Sequence, residues 1–555
     1  MQENHDNLRP FWLTLTLLPI VVYYLAAWQY TLNIPFWDDY DFLEDTLKIQ
    51  ESNRFSDQIV ITLGQEGEHR TAFLRIIFLT SVLLRGDIDF TLLAFLGNMA
   101  LLGLLWFLLK LLPKSPWKLL SSLPIVLLLF QFQNWNNMIW TAAVLQHFTI
   151  LYFAGGAFYW IVKRSRGNFI SALFHASIAC FTHGSGLAVS FLCALYLFGA
   201  KRTRDAWVWL GWGVLIFSIY FYDYKISSQG STFWVLLQSP GLLAARFFSF
   251  LGSILAFKQF SLSIVLGVAV FSYFIFLTQK KYYSKNPCLY FFMTFILLSA
   301  LAVAVFRSDL GVSQALTYRY KIYSAVLWIM VYLSFLELCG GEKILSYKTM
   351  AMFIFLTVTI YALSILDAKP KIEFQRDMMV YRLNHWALNN NSLFFHDQTA
   401  ANGILSSAIE RGIYHPPNHL LSISEESRSK IVENDSICQE ELKSNHPVKI
   451  NGFPLGTKGN PVLYRMEGMI RLPEVSVSAD SPIYLVLQSN DRRILLTARK
   501  QENPEMSTLF QADSKNVGII SLISLQYLKE GPFQAGLCFD NKVVFPGFQV
   551  SLSSL

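Results

Sequence analysis

From Asp89 to Asp205 the chain carries no Asp or Glu. The stretch is a succession of apolar runs broken by short Lys/Arg clusters. Runs of about 20 mostly apolar residues are what crossing a bilayer requires. Soluble domains average about 25% charged residues, whereas this 555-residue chain has 15%, with 53% hydrophobic. The charge is also uneven. Up to Leu366 there are 26 Lys+Arg and 18 Asp+Glu, and from Asp367 onward 19 and 20. The net charge of +7 therefore belongs to the first part. These numbers place a membrane unit over residues 1–366 and a near-neutral soluble region behind it. The 15% aromatic content and only 19 Pro exclude a disordered or fibrous chain. The basic residues cluster between apolar runs, which argues against nucleic acid as a partner.

Eleven segments are candidate spans: Phe11–Tyr30, Thr91–Leu112, Lys118–Gln131, Ala143–Val162, Phe169–Thr182, Ser185–Gly199, Trp207–Tyr222, Ser261–Thr278, Cys288–Phe306, Ile322–Leu338 and Met350–Leu366. The first does not look like a cleaved signal, since Trp28 and Tyr30 stand at its far end. Lys/Arg bias in short loops sets orientation. Lys110/Lys114/Lys118, Lys163/Arg164/Arg166, Lys201/Arg202/Arg204, Lys280/Lys281/Lys285 and Lys343/Lys348 fall on one side if the spans alternate. The amino terminus is then cytoplasmic, and an odd number of spans leaves the tail outside. A crossing by Leu242–Phe257 would move Lys280 and Lys281 outside, so that segment reads as an interfacial helix on the outer surface.

Nine of the 18 acids in the membrane unit lie between Asp38 and Glu68, in the first outer loop, residues 31–90. Ile34-Pro35-Phe36-Trp37 runs straight into Asp38-Asp39-Tyr40, which puts two carboxylates at the membrane surface. A carboxylate there has a raised pKa and can act as a general base. An acidic loop can equally be a wet face, as for Asp41–Glu51, but adjacent acids at the exit of an apolar helix are costly without a partner or a task. Glu68-His69-Arg70 then leads into an amphipathic segment, Thr71–Leu84, which suits a helix lying on the bilayer. Arg70 and Arg75 there either snorkel or meet phosphate.

Three later loops can carry chemistry. Gln131–Trp140 interleaves amides with aromatics. Asn134, Asn136 and Asn137 offer paired donors and acceptors to sugar hydroxyls, and Trp135 a stacking face. An interfacial aromatic belt explains the Trp residues but not the three Asn. His183, in Thr182-His183-Gly184-Ser185-Gly186, lines a cavity or merely sits in a tight turn. The loop Arg307–Tyr323 holds Arg307, Asp309, Tyr318, Arg319, Tyr320 and Lys321 on the outer side, where cations are otherwise scarce. A lipid phosphate would account for them, because Arg grips phosphate oxygens with two parallel hydrogen bonds. The alternative pairs Arg319 with a first-loop acid.

No Walker-type loop, HExxH or CxxC is present, so neither ATP nor a strong metal site is indicated. Cys438 and Cys538 lie in the tail; outside the cytoplasm they either pair or remain buried thiols. In the tail, Ile372–Leu388 and Asp397–Arg411 read as helices in a linker region, 367–445. Val462-Leu463-Tyr464, Ile483–Leu487, Ile494–Thr497, Val517–Ile523, Phe533–Phe539 and Val543–Val550 read as strands of a β-sandwich within 446–555.

The layout, with Trp37-Asp38-Asp39-Tyr40, Glu68-His69-Arg70 and Tyr318-Arg319-Tyr320, resembles the C-type membrane glycosyltransferases. The resemblance implies a mainly α fold: a polytopic helical bundle of about eleven spans followed by an extramembrane α+β domain. It implies an enzyme that transfers a sugar from a polyprenyl-phosphate donor to a glycan, lipid or protein acceptor on the outer face of a bacterial inner membrane, with the carboxyl-terminal domain periplasmic. Asp38 or Asp39 is then the catalytic base. Arg319, Lys321, Arg70 and Tyr318 bind the donor phosphate, and Glu68, His69, Asn134, Trp135, Asn136, Asn137 and His183 bind substrate. Some such enzymes hold a divalent cation, Mg or Mn, between loop acids, and Asp38/Asp39 could take one. A flippase or exporter of lipid-linked glycans is the alternative from another class; it would be expected to line a path inside the membrane with charge. A non-catalytic glycan-binding subunit is the third.

Overall fold

In a computed structural model, the described residues are 3–113, 118–225, 239–306, 316–339, 347–389, 393–421, 430, 432, 437–441, 448–457, 460–472, 482–489, 492–501, 515–524, 528, 532–539 and 542–551. Lys114, Arg307, Asp309 and Lys343 lie outside them. The chain forms two compact units. One comprises Met1–Leu32, Lys48–Thr80 and Phe90–Arg376; the other comprises Asn33–Leu47, Ser81–Asp89 and Asp377–Leu555. Two pieces of the first outer loop thus group with the tail, which no composition shift announces.

The first unit is helical. Its helices are α1 (Glu3–Tyr30), α2 (Asp39–Glu51, shared with the second unit), α3 (Phe55–Thr62), α4 (Ala72–Arg85, likewise shared), α5 (Phe90–Lys110), α6 (Lys118–Leu129), α7 (Trp135–Ile139), α8 (Thr141–Ile161), α9 (Arg166–Cys180), α10 (Gly186–Gly199), α11 (Thr203–Phe221), α12 (Pro240–Ala256), α13 (Phe260–Gln279), α14 (Tyr282–Lys285), α15 (Pro287–Phe306), α16 (Lys321–Leu338) and α17 (Tyr347–Asn389). Among the described residues, seven helical segments are long and apolar enough to cross a membrane: Pro10–Tyr30, Phe90–Lys110, Thr141–Ile161, Phe260–Gln279, Pro287–Phe306, Tyr318–Leu338 and Lys348–Leu388. The other four expected spans are helical as α6, α9, α10 and α11, but each falls short in length or apolarity.

Of these seven segments, those of α8 and α16 are the most enclosed, whereas those of α1, α13 and α17 present most of their surface outward. Helices within a bilayer gain little from apolar contact alone and rely on small residues and polar links. Both devices occur here. Gly267 of α13 abuts the backbone of Phe248 in α12, and Gly252 of α12 abuts that of Ser263. This antiparallel pair also buries Ser249, Phe250, Ser253 and Ile254 of α12. The segment expected as an interfacial helix, Leu242–Phe257, is helical over Pro240–Ala256, and glycine lets it approach α13 closely. The polar link is Asn98, fully buried in α5. Its Nδ2 donates to Ala94 C=O at 2.8 Å and Met138 C=O at 2.9 Å, and its Oδ1 accepts from Tyr23 Oη–H at 2.8 Å.

Helix α17 runs unbroken through Pro370, where two helices with a gap were expected. Pro370 leaves only the Leu366 carbonyl without its intrahelical donor. The pairs Lys371–Asp367 and Lys369–Glu373 bracket that point on the helix surface.

The second unit holds α18 (Gln398–Glu410), which starts where expected: Asp397 Oδ1 accepts from Thr399 N–H at 2.9 Å and Ala400 N–H at 3.0 Å. Its strands are β1 (Glu440–Glu441), β2 (Val448–Thr457), β3 (Asn460–Leu472), β4 (Ile483–Gln488), β5 (Arg493–Thr497), β6 (Arg499–Gln501), β7 (Lys515–Ser524), β8 (Pro532–Phe539) and β9 (Lys542–Ser551). Sheet order is β1-β9-β8-β4-β5 in one sheet and β2-β3-β7-β6 in the other. Ile450, Met466 and Ile523 of the second sheet share one apolar core with Leu485, Leu496 and Leu537 of the first. Every expected strand lies within an observed one. Cys438 is disulfide-bonded to Cys538 across 100 residues of chain.

A crosslink closing so long a loop contributes about 2–5 kcal/mol by restricting the unfolded chain. Non-reducing mass spectrometry of protein from the native host should therefore find Cys438 linked to Cys538. Cys538→Ser should lower the unfolding temperature of the tail; two alkylatable thiols in the folded wild-type protein would contradict the pairing.

Candidate functional site

In the first unit, the amides of the loop 131–140 divide into those that hold the loop and those left over. Gln131 Oε1 accepts from Gln133 N–H at 2.6 Å, and Gln133 Nε2 donates to Ile254 C=O at 2.7 Å. Phe132 N–H donates to Ser364 Oγ at 3.0 Å, and Asn137 Nδ2 to Arg319 C=O at 2.8 Å. These bonds fix the loop against α12, α17 and the 3-10 turn Tyr318–Tyr320. Gln131 Nε2, both side-chain atoms of Asn134, Asn137 Oδ1 and Trp135 Nε1 are buried with no hydrogen-bond partner. A buried polar group that lacks a partner costs about 1–3 kcal/mol, so five in one short loop imply a polar occupant, solvent or ligand. Asn134 offers donor and acceptor together, which is what a hydroxyl needs. Asn136, by contrast, is only half-buried.

Trp135 packs against Tyr318 with ring centroids 5.2 Å apart. Around Tyr318 stand three ammonium groups: Lys371 at 5.2 Å, Lys321 at 5.4 Å and Lys258 at 5.6 Å from the ring centroid. They come from α17, the start of α16 and the turn between α12 and α13. Lys321 is fully buried, and its Nζ donates to Gln133 Oε1 at 2.7 Å and Phe257 C=O at 2.6 Å. Phe257 has φ +54°, left-handed for a residue with a side chain. That strained conformation turns its carbonyl to the ammonium and carries the chain into exposed Lys258. The Arg319 guanidinium lies over Tyr320 at 5.3 Å, and its Nε is buried without a hydrogen-bond partner. Asp367 is bound to Lys371 through Oδ1, while Oδ2 is buried without a hydrogen-bond partner. Basic side chains gathered around one ring, with one carboxylate bound among them, suit an anion better than a cation. Of the residues the sequence suggested, Tyr318 and Lys321 lie together here, and Arg319 lies over the neighbouring Tyr320. Lys258 and Lys371 had no signal in local pattern, since only the fold brings them to the ring.

Arg70 is not part of that cluster. Its Nη1 donates to Leu63 C=O and its Nη2 to Tyr222 C=O, so the guanidinium staples the loop before α4 to the end of α11. Glu68 contributes its backbone carbonyl to Tyr224 Oη–H at 3.0 Å. His69 and His183 do meet, with ring centroids 4.5 Å apart, and His147 lies 5.6 Å beyond His183. His183 Nδ1 accepts from Ser185 N–H at 3.1 Å, so a neutral ring carries its proton on Nε2. His147 in turn contacts Tyr320 at 5.7 Å, which places the imidazoles one ring from Arg319.

Asp38 and Asp39 belong to the second unit and have different surroundings. Asp39 is buried; its Oδ2 accepts from Phe36 N–H at 3.0 Å, so the first residue of α2 reaches back across the turn that precedes it. Burial, and then the charge of Asp39, pushes the Tyr40 phenol well above its ordinary pKa. Asp38 is exposed and follows Trp37, whose φ of +47° is a second left-handed non-glycine conformation. Trp37 N–H donates to Phe394 C=O at 2.8 Å, which holds that turn in place. Among the described residues no group of three His, Cys, Asp or Glu is arranged to hold a metal ion.

Gly184 matters sterically, since a Cβ there would stand 2.6 Å from His69 Nδ1. Gly184→Ala should displace His69 from the imidazole stack and leave membrane insertion intact. Modification of His69 by diethyl pyrocarbonate, read by mass spectrometry, should then rise severalfold; an unchanged rate would mean the stack survives.

No protein-family model, no curated protein and no solved structure matches the chain.

Proposed function

We propose that the chain is a polytopic membrane glycosyltransferase. In this reading it takes a sugar from a polyprenyl-phosphate carrier and passes it to a hydroxyl of a glycan, lipid or protein acceptor at the outer face. The carrying observation is the juxtaposition, within one unit, of the cations around Tyr318 and the amide loop with unmet hydrogen bonds. A phosphate needs the first and a sugar the second; Trp135 against Tyr318 joins them. The acceptor oxygen would attack the anomeric carbon while the bond to the phosphate oxygen breaks. The electron pair leaves on phosphate, where Lys258, Lys371 and Arg319 stabilise the growing charge. The hydroxyl proton passes to a carboxylate. Asp38 takes that role in preference to Asp39, whose Oδ2 is engaged at the helix start. Direct displacement inverts the anomeric carbon.

The same reading uses eleven crossings of the C-type arrangement, with the basic clusters cytoplasmic and the tail outside. The disulfide supports the last point, because such bonds persist in oxidising compartments. A reporter fused after Leu366 should be active only outside the cytoplasm, and one after Arg166 only inside. A cytoplasmic signal after Leu366 would remove the orientation.

Purified protein assayed with a polyprenyl-phosphate sugar tests the chemistry. Asp38→Asn should lower turnover by about 10²–10⁴-fold with donor binding kept. Asp39→Asn should instead lower thermal stability. Arg319→Ala should weaken donor binding and slow the step, and Arg319→Lys should rescue only in part. Full activity in Asp38→Asn and in the double Asn variant would leave the first-loop pair without a catalytic role, and a carrier or binding subunit would then be the better reading.

A further inference from the structure

The end of the first unit away from the loop 131–140 carries a second cationic feature. Helix α8 starts beside that loop at Thr141 and ends at Ile161, about 30 Å along at a rise of about 1.5 Å per residue. There Lys163 Nζ donates to Tyr159 Oη at 2.8 Å and lies 4.0 Å from the Tyr159 centroid and 4.6 Å from that of Trp160. On α5, which packs on α8 through Phe107 and Tyr159, Lys110 Nζ lies 5.6 Å from the Trp106 centroid. Trp106 contacts Tyr159 at 5.5 Å and Trp160 at 6.1 Å, so the two lysines flank one patch of three rings.

Leu96, Met99, Trp106 and Lys110 recur at helical spacing on α5, and all four are exposed. An apolar stripe thus leads along the helix to an indole and then to a cation, the order of tail, interface and head in a phospholipid. No Asp or Glu occurs between Asp89 and Asp205. Asp205 itself is held by Arg202 at 2.7 Å, and the same guanidinium caps the Ile161 carbonyl at the end of α8. A belt of interfacial aromatics accounts for the rings but not for the lysines over them. A choline headgroup is bound by the faces of such rings, whereas here lysines lie over them and present positive charge of their own. An anionic headgroup matches that charge. We propose that this end of α5 and α8 binds one anionic phospholipid, with its phosphate between Lys110 and Lys163 and an acyl chain along Leu96 and Met99. The site is independent of the glycosyltransferase reading.

The test is native mass spectrometry of full-length, delipidated protein in detergent, offered equal amounts of phosphatidylglycerol and phosphatidylcholine with the same chains. One phosphatidylglycerol should be retained at least about tenfold over phosphatidylcholine, and Lys110→Gln or Lys163→Gln should each lower that ratio about fivefold. Lys110 is exposed, so its variant remains usable if Lys163→Gln fails to fold. Lys280, which lies 5.7 Å from the single ring of Phe276 at the end of α13, is the control, and Lys280→Gln should leave the ratio unchanged. Glycerophosphoglycerol, the same headgroup without chains, should not displace the lipid. Equal retention of the two lipids, an equal loss in Lys280→Gln or displacement by the soluble headgroup overturns the site.

Discussion

The buried side-chain nitrogen of Lys321 makes the contacts on which the first unit's polar end depends. A buried polar group is costly unless it is hydrogen-bonded. Lys321 finds two partners: the amide of Gln133 and the carbonyl of Phe257. Gln133 lies in the short 3-10 helix Phe132–Asn134 and Phe257 in a turn, neither of them part of a long helix. The lysine nitrogen therefore joins the loop 131–140, the turn between α12 and α13, and the start of α16. Gln133 extends the link by donating to Ile254, and Ser324, one turn along α16, donates to Leu251 C=O at 2.6 Å. With those joints made, Lys258, Tyr318 and Trp135 have little freedom. The strained Phe257 backbone is the conformational cost of aiming a carbonyl at that nitrogen.

That network explains which hydrogen bonds are missing as well as which are made. Gln133 and one atom each of Gln131 and Asn137 are used in holding the loop, whereas Asn134 has neither atom satisfied. Four fully buried amide side chains within seven residues, Gln131, Gln133, Asn134 and Asn137, are otherwise hard to reconcile with an apolar bundle. The division within the loop separates scaffold from binding surface more sharply than residue type does.

The sequence exposed some of this and concealed the rest for physical reasons. Alternation and turn residues revealed the tail strands β4, β5, β7, β8 and β9, and Asp397 marked a helix start. β2 escaped because Gly452, Pro454 and Gly456 read as turn signals within a strand. Pro370 likewise suggested a break in α17 that side-chain pairs on either side make unnecessary. Tyr318, Arg319 and Lys321 drew notice because that loop gathers cations, but Lys258 and Lys371 reach the Tyr318 ring from distant parts of the chain. Arg70 showed the converse. Its place after Glu68-His69 suggested a phosphate contact, yet a guanidinium satisfies backbone carbonyls equally well, and Leu63 and Tyr222 are nearer.

The adjacent acids Asp38 and Asp39 show how neighbouring residues of one kind come to differ. Asp39 sits in the first turn of α2, where unpaired amide hydrogens and the helix dipole favour a negative charge. Its Oδ2 accepts from Phe36 N–H, and that bond ties it to the helix start. Asp38 precedes the helix on a turn set by the left-handed Trp37, and its side chain points outward. One acid therefore shapes the turn that presents the other. The two neighbours divide the work of the turn: Asp39 holds the start of the helix, and Asp38 stands exposed where that start places it.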